Sequence, residues 1–456
     1  MPRATASTSP DAKQFRSADV ARPRTNHFAT DPTASRGSSP RSRQPNSRHP
    51  HLNRVPDTVP DVEQVPGIPG GSYRPAASRP PASVRYGFVD LLRGLALVVM
   101  VETHVVNAYL PDSLRGSSFF YWLAFLNGLV APSFLFASGF SLVLQGRRHW
   151  DDWLRFRAPF WKHMRRLGFI LMVGYLLHLQ HFRLSKYLAS DDPDVWKRTL
   201  QVDILQCIVM SLIVVHILVL VVRTRRRLAY GAAMLGLCFT LMTPWIWAQD
   251  FTGRMPLALA LYLNPGGVSL FPIFPWAAFL LAGCCTCYLF LSSVKRDRVP
   301  KFMRRAAIAG VAMICTGLLG RLVPFSLPGY QNFYLTSPLY VAIRLGCVLI
   351  LLAALWQVER RGMRLPGGVL VAGQESLLAY GIHLIVIFGV LRNRYVGRIV
   401  GLEAGYAGCF FLSVLVILLM LEAARRWHIF KRQRPRLVFR AQAAAIIALG
   451  LMFLLV

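Results

Sequence analysis

RYGFVDLLRGLALVVMVETHVVNAYL, residues 85–110, is the stretch whose reading decides the fold. Its apolar run is long enough to cross a bilayer, which takes about 20 residues in a helix. Yet it carries Asp90, Arg93, Glu102 and His104 into that environment. An isolated charge at mid-membrane costs about 2.5 to 3.5 kcal/mol even on insertion scales. Groups of this kind persist only where protein partners or a water-lined cleft meet them. The stretch therefore predicts a helix inside a bundle, with a functional polar site against it.

The rest of the chain agrees. Of its 456 residues, 54% are hydrophobic and 16% charged, and the sequence breaks into many apolar runs of bilayer length. This composition predicts an all-α fold, a polytopic transmembrane helix bundle, and excludes a large soluble core. Eleven runs are long enough to span, starting near residues 88, 119, 166, 201, 228, 268, 305, 338, 369, 404 and 437, so about 11 spans (10 to 11) are expected. Residues 1–84 are rich in Pro, Ser, Arg and Thr and poor in large aliphatics, which predicts a disordered N-terminal tail. That tail lacks an apolar secretory core, and solvation is favoured over binding to anionic lipid headgroups. Residues 85–430 form the expected membrane domain, and 431–456 a basic connector with a last helix.

A net charge of +31 in a soluble protein would point to nucleic acid. Here Lys and Arg concentrate in the tail and in alternate connectors, among them GRRHWDDWLRFRAPFWKHMRR, RTRRR, KRDRVPKFMRR, ERRGMR and RRWHIFKRQRPR. Basic connectors mark the cytoplasmic side, so the N-terminus is expected inside, the lipid bilayer is the expected partner and no nucleic acid is. The intervening connectors are richer in Gly, Pro, Tyr and Asn. All eight cysteines fall inside apolar runs, which suits neither a disulfide framework nor a zinc site. His178 and His181 have no carboxylate close by in sequence, so no metal is expected. His216 reads as structural.

Spacing within the first span sorts its polar groups. Arg93 and His104 are eleven positions apart, which returns to within about 20° of one direction. Asp90 lies about 60° from Arg93 and can join it, while Glu102 points almost the opposite way. His104 sits about 16 Å beyond Arg93 along the helix, and Asn107 follows it by about one turn. A buried neutral imidazole needs both a donor and an acceptor, so a polar cavity is expected around His104. Elsewhere QVDILQCI sets Asp203 and Gln206 one turn apart, and GQESLLAYGIHL sets Ser376 and His383 two turns apart on one face. Lys162, Arg165 and Arg166 lie in a basic connector and suit the phosphates of a nucleotide-bearing donor as well as they suit topology. No phosphate-binding loop, nucleophile elbow or zinc-protease motif stands in a convincing context.

The run FVDLLRGLALVVMVETHVVNAYL, followed in order by APSFLFASGF, QVDILQCI, SLFPIFPWAAFLLAGC and GQESLLAYGIHL, resembles the bacterial relatives of heparan-alpha-glucosaminide N-acetyltransferase. That family is similar to the acyltransferase-3 proteins within a wider transmembrane acyltransferase superfamily, and the resemblance covers nearly all of residues 85–430. It implies transfer of an acyl group, usually acetyl, from cytoplasmic acyl-CoA to a hydroxyl or amine of a carbohydrate across the membrane. It implies catalytic roles for Arg93 and His104, with Asp90 beside Arg93. Acetyl-CoA or another acyl-CoA is then a co-substrate, no cofactor is tightly bound, and a bacterial inner membrane is the expected location. His104 would act as general base, an acyl-histidine route being chemically open too. The rival reading is a proton-coupled transporter or flippase of a sugar or lipid-linked substrate, with the same buried groups forming a path.

Overall fold

The computed structural model describes residues 86–181, 183–190, 192, 194–322, 336–363, 366–389 and 403–455. The expected tail, residues 1–84, lies outside them, as do 323–335 and 390–402 within two expected connectors. In chain order come α1 (Gly87–Tyr109), α2 (Ser118–Asn127), α3 (Val130–Leu154), α4 (Ala158–Leu176), α5 (Leu184–Leu188), α6 (Asp194–Leu200), α7 (Ile204–Val222) and α8 (Arg225–Trp247). There follow α9 (Leu257–Leu263), α10 (Ile273–Lys295), α11 (Val299–Gly320), α12 (Pro338–Arg360), α13 (Gly367–Gln374), α14 (Ser376–Phe388), α15 (Tyr406–Gln433) and α16 (Pro435–Leu455). No strand occurs among the described residues, and the protein is an all-helical membrane bundle.

Among the described residues, seven helical stretches are long and apolar enough to cross a membrane, or eight if α13 and α14 together make one. The expected count of about 11 (10 to 11) is thus not confirmed. Helices do stand at the other expected positions, but α1, α4 and α16 are not among the seven. In α4 the cause is plain: Lys162, Arg165 and Arg166 occupy its first half and leave too short an apolar run.

α1 runs through the interior, against α2, α3, α12, α13, α14 and α15. Its start is capped from afar, because the Glu359 carboxylate accepts from the backbone N–H of Gly87 and of Phe88, each at 2.8 Å. A carboxylate there satisfies two of the donors that a helix start leaves open and opposes the positive end of the helix dipole. α1 ends where Leu110 turns extended before Pro111, the restriction that proline places on its predecessor. At that far end Ala404 N–H donates to Tyr109 O at 2.9 Å and Ser117 Oγ meets the Tyr406 hydroxyl at 2.6 Å. The basic connectors gather at the opposite end, where Trp150 Nε1 donates to Arg223 O at 3.2 Å and Arg225 Nη2 to Arg147 O at 3.1 Å.

Three crossings use glycine so that backbones touch, one of them α11 on α12, where Gly310 and Gly346 face each other's carbonyl oxygens. A β-carbon on Gly373 of α13 would overlap the Asp90 carbonyl oxygen of α1, and one on Gly94 would overlap that of Val369. Gly139 of α3 and Gly283 of α10 are related in the same way, each lying on a carbonyl oxygen of the other helix. Such approaches replace the hydrophobic effect, which lipid does not supply, with dense packing.

The stretch around residue 375 is a break that its apolar period did not reveal. α13 and α14 meet at 94°. Glu375, at the junction, has left helical geometry (φ −103°, ψ 30°), and its carboxylate takes Lys431 Nζ at 2.5 and 2.6 Å and His428 Nδ1 at 2.9 Å from α15. The preceding Gln374 turns the other way, its Nε2 donating to Asp90 Oδ2 at 3.3 Å. Side-chain anchors on both sides of the junction hold the chain in a bend without proline. The bend aims α14 at the far half of α1.

Candidate active site

The polar groups of α1 find protein partners in separate places. Near its start, Arg93 Nη1 pairs with Asp90 Oδ1 at 3.0 Å, and Arg93 Nη2 donates to Ser141 Oγ of α3. Gln374 completes Asp90, so the group ties α1 to α3 and α13. Asp90 and Arg93 therefore come together as their spacing predicts. The structure does not bring them to His104, which helix rise leaves about 16 Å away.

His104 forms the second centre. Its Nδ1 lies 2.7 Å from Met100 O, one turn back, and a carbonyl oxygen only accepts. The proton therefore sits on Nδ1 and the Nε2 lone pair is basic. His383 of α14 is held by the same device, with Nδ1 2.9 Å from Ala379 O. The two rings stand edge to face with centroids 5.0 Å apart, and Phe388 closes on His104 at 5.8 Å. His383 is fully buried, and its Nε2 has no hydrogen-bond partner among the described residues.

A polar chain continues from this pair. The Tyr380 ring lies 5.6 Å from that of His383, and its hydroxyl donates to Asp203 Oδ2 at 3.2 Å. The same carboxylate oxygen takes His178 Nε2 at 3.3 Å, and Gln201 Nε2 stands 2.5 Å from His178 Nδ1. Asp203 Oδ1 accepts from Ile204 N–H at 2.7 Å, which makes Asp203 the cap of α7 as well. The carboxylate that His178 lacks in its own neighbourhood thus arrives from the start of α7. His181 goes elsewhere, meeting the Tyr187 ring edge to face at 5.7 Å.

The remaining candidates divide. Gln206 is fully buried against Gly174, and neither amide atom has a partner among the described residues. A buried amide left unpaired costs about 1–3 kcal/mol, so this position calls for a bound polar group or water. Glu102 turns from His104 to the Asn127 side chain at the α2–α3 junction. Asn107 is exposed, its carbonyl accepting from Arg115 Nη2 at 3.2 Å. Ser376 opens α14 half-buried, about 10 Å of helix rise from His383. Lys162, Arg165 and Arg166 are exposed on α4, whose other face buries Phe160, His163 and Leu167. None of these last six is brought to the histidine pair.

Sequence reasoning missed Tyr380, Gln201 and the pairing of His178. It also passed over Arg344 of α12, whose Cζ lies 4.3 Å from the Tyr340 ring and 5.4 Å from the Trp276 ring. A lone arginine within PLYVAIRLGCVLILL was the available signal.

The family model for heparan-alpha-glucosaminide N-acetyltransferase, catalytic, matches residues 85–320, more than half of the chain. The chain belongs to this family. A comparison with curated proteins finds no match. The heparan-alpha-glucosaminide N-acetyltransferase match spans α1 to α11, and so contains Arg93, His104, His178 and Asp203. Tyr380 and His383 lie beyond it, on α14. Membership makes the protein a membrane acyltransferase.

Proposed function

We propose that this protein moves an acyl group, acetyl first among candidates, from acyl-CoA at the basic end of the bundle to a hydroxyl or amine of a carbohydrate at the other end. The basic connectors would face the cytoplasm. The observation that carries the reading is the His104–His383 pair, with His104 fixed in the tautomer that leaves Nε2 basic. The acceptor N–H or O–H attacks the thioester carbonyl as His104 Nε2 takes its proton. The C–S bond breaks, and the thiolate of coenzyme A recovers that proton from the imidazolium. His383 stabilises the transient charge, and Tyr380, Asp203 and His178 hold His383 in place. Arg93, kept cationic beside Asp90, lies on the donor's path, and an extended pantetheine arm spans the helix rise from there to His104.

Purified protein given radiolabelled acetyl-CoA and amino-sugar acceptors tests the reading directly. Labelled sugar is expected, and none with any acceptor would reject it. Asp203→Asn is expected to lower kcat about tenfold to a hundredfold by releasing the Tyr380–His178 alignment. Asparagine also caps helices well, so α7 and the thermal midpoint should survive. A kcat equal to wild type would remove Asp203 from the machinery. At the donor end, Arg165→Gln with Arg166→Gln is expected to raise KM for acetyl-CoA about fivefold with kcat unchanged, since both side chains are solvent-screened. Unaltered donor KM would count against α4 as the phosphate site.

A further inference from the structure

At the basic end of the bundle, α3, α8 and α10 enclose a cavity of about 130 Å3 that the proposed transfer does not use. Arg147, Arg225 and Lys295 line it together with Trp150, Leu228 and Leu291. The three cations come from three helices that only folding brings together. None forms an ion pair among the described residues, and no carboxylate lines the cavity. Like charges around one space repel. Among the described residues their partners are weak: the Trp150 ring, 5.6 Å from Arg225 Cζ, and the Arg147 carbonyl. An anionic ligand would relieve what the fold leaves unbalanced.

Position decides which anion. On α3 the lining residues Gly146, Arg147 and Trp150 share one stripe, whereas Ser141, which binds Arg93, points to nearly the opposite side of the helix. No residue of α1, α4, α7 or α14 lines the cavity, so α3 stands between it and the transfer site. Its volume leaves room for a phosphodiester with its glycerol. Cations at the rim with leucines on the walls match a head group joined to hydrocarbon, and basic pockets between membrane helices recognise acidic lipid heads. We infer that this cavity binds the phosphate head of an anionic phospholipid, shared among Arg147, Arg225 and Lys295, with Leu228 and Leu291 meeting the first methylenes of its chains.

Native mass spectrometry of the full-length protein, released from vesicles of mixed phosphatidylglycerol and phosphatidylcholine, reads which lipid stays bound. Phosphatidylglycerol is expected to be retained in preference. Arg225→Gln should weaken its retention about fivefold, the worth of one cation beside an anionic lipid surface. The triple variant Arg147→Gln, Arg225→Gln, Lys295→Gln should show no preference. Arg147→Lys with Arg225→Lys keeps the charge and should keep the preference, which separates binding from any loss of fold. Equal retention of the two lipids by wild type, unaltered preference in the triple variant, or displacement of phosphatidylglycerol by added coenzyme A would each overturn the assignment.

Discussion

Replacing His104 by alanine lowers acyl transfer by roughly 10²–10⁴-fold, the range that a positioned general base contributes. The Nδ1 proton is committed to Met100 O, so Nε2 alone can take the acceptor's proton, and no other group inherits that geometry. His383 stands nearest, but its own Nδ1 is tied to Ala379 O and its ring is fully buried. The comparison is made by single-turnover release of label from acetyl-CoA, with thermal unfolding and detergent-phase monodispersity as controls. The fold should persist, because the Met100 bond lies within one helix and α1 is held by Glu359, Gln374 and Ser141 elsewhere. Transfer at the wild-type rate would reject the assignment of His104. Absence of transfer in both proteins would instead favour a path for substrate or protons over group transfer. The two outcomes are distinct, so the role of the residue and the class of activity are judged separately.

The polar groups of α1 were legible because the membrane penalises each of them and because helical spacing sorts them by face. Asp90 and Arg93 pair as that spacing requires, and His104 faces a polar neighbour. What spacing does not carry is the identity of partners from distant segments. Tyr380 reaches Asp203 across 177 positions and Glu359 caps α1 across 272, and neither contact leaves a local period. The bend at Glu375 was hidden for the same reason: the apolar run passes through it, and the anchors that hold it come from α1 and α15. Arg93 and His104 share a direction on the helix, but different neighbours lie along its length, so a shared face became two centres. The span count fell short where polar residues sit within a helix, as in α4.

The α3–α10 crossing should be the least forgiving place in the bundle. Gly139→Ala puts a methyl group into the Leu280 carbonyl, and Gly283→Ala puts one into the Phe136 carbonyl. Neither obstacle is the movable tip of a side chain; both are helix backbone, so the two helices must part. Overpacking of this kind costs about 1–3 kcal/mol per site, and parting the helices also loses the backbone contacts that the crossing makes. The consequence reaches the site, since α3 carries Ser141 against Arg93 and α10 packs against α7, whose cap is Asp203. Expected results are a lowered thermal midpoint for each single variant and loss of monodisperse protein for the double. Gly168→Ala and Gly381→Ala make the opposite case, because nothing lies within 4 Å of the added carbon in either. Both are helical, and alanine is favoured over glycine in a helix interior by about 0.5–1 kcal/mol, so their midpoints should rise or hold. Equal effects in the two pairs would mean that glycine acts here through helix propensity alone, and the backbone contact between α3 and α10 would have to be given up.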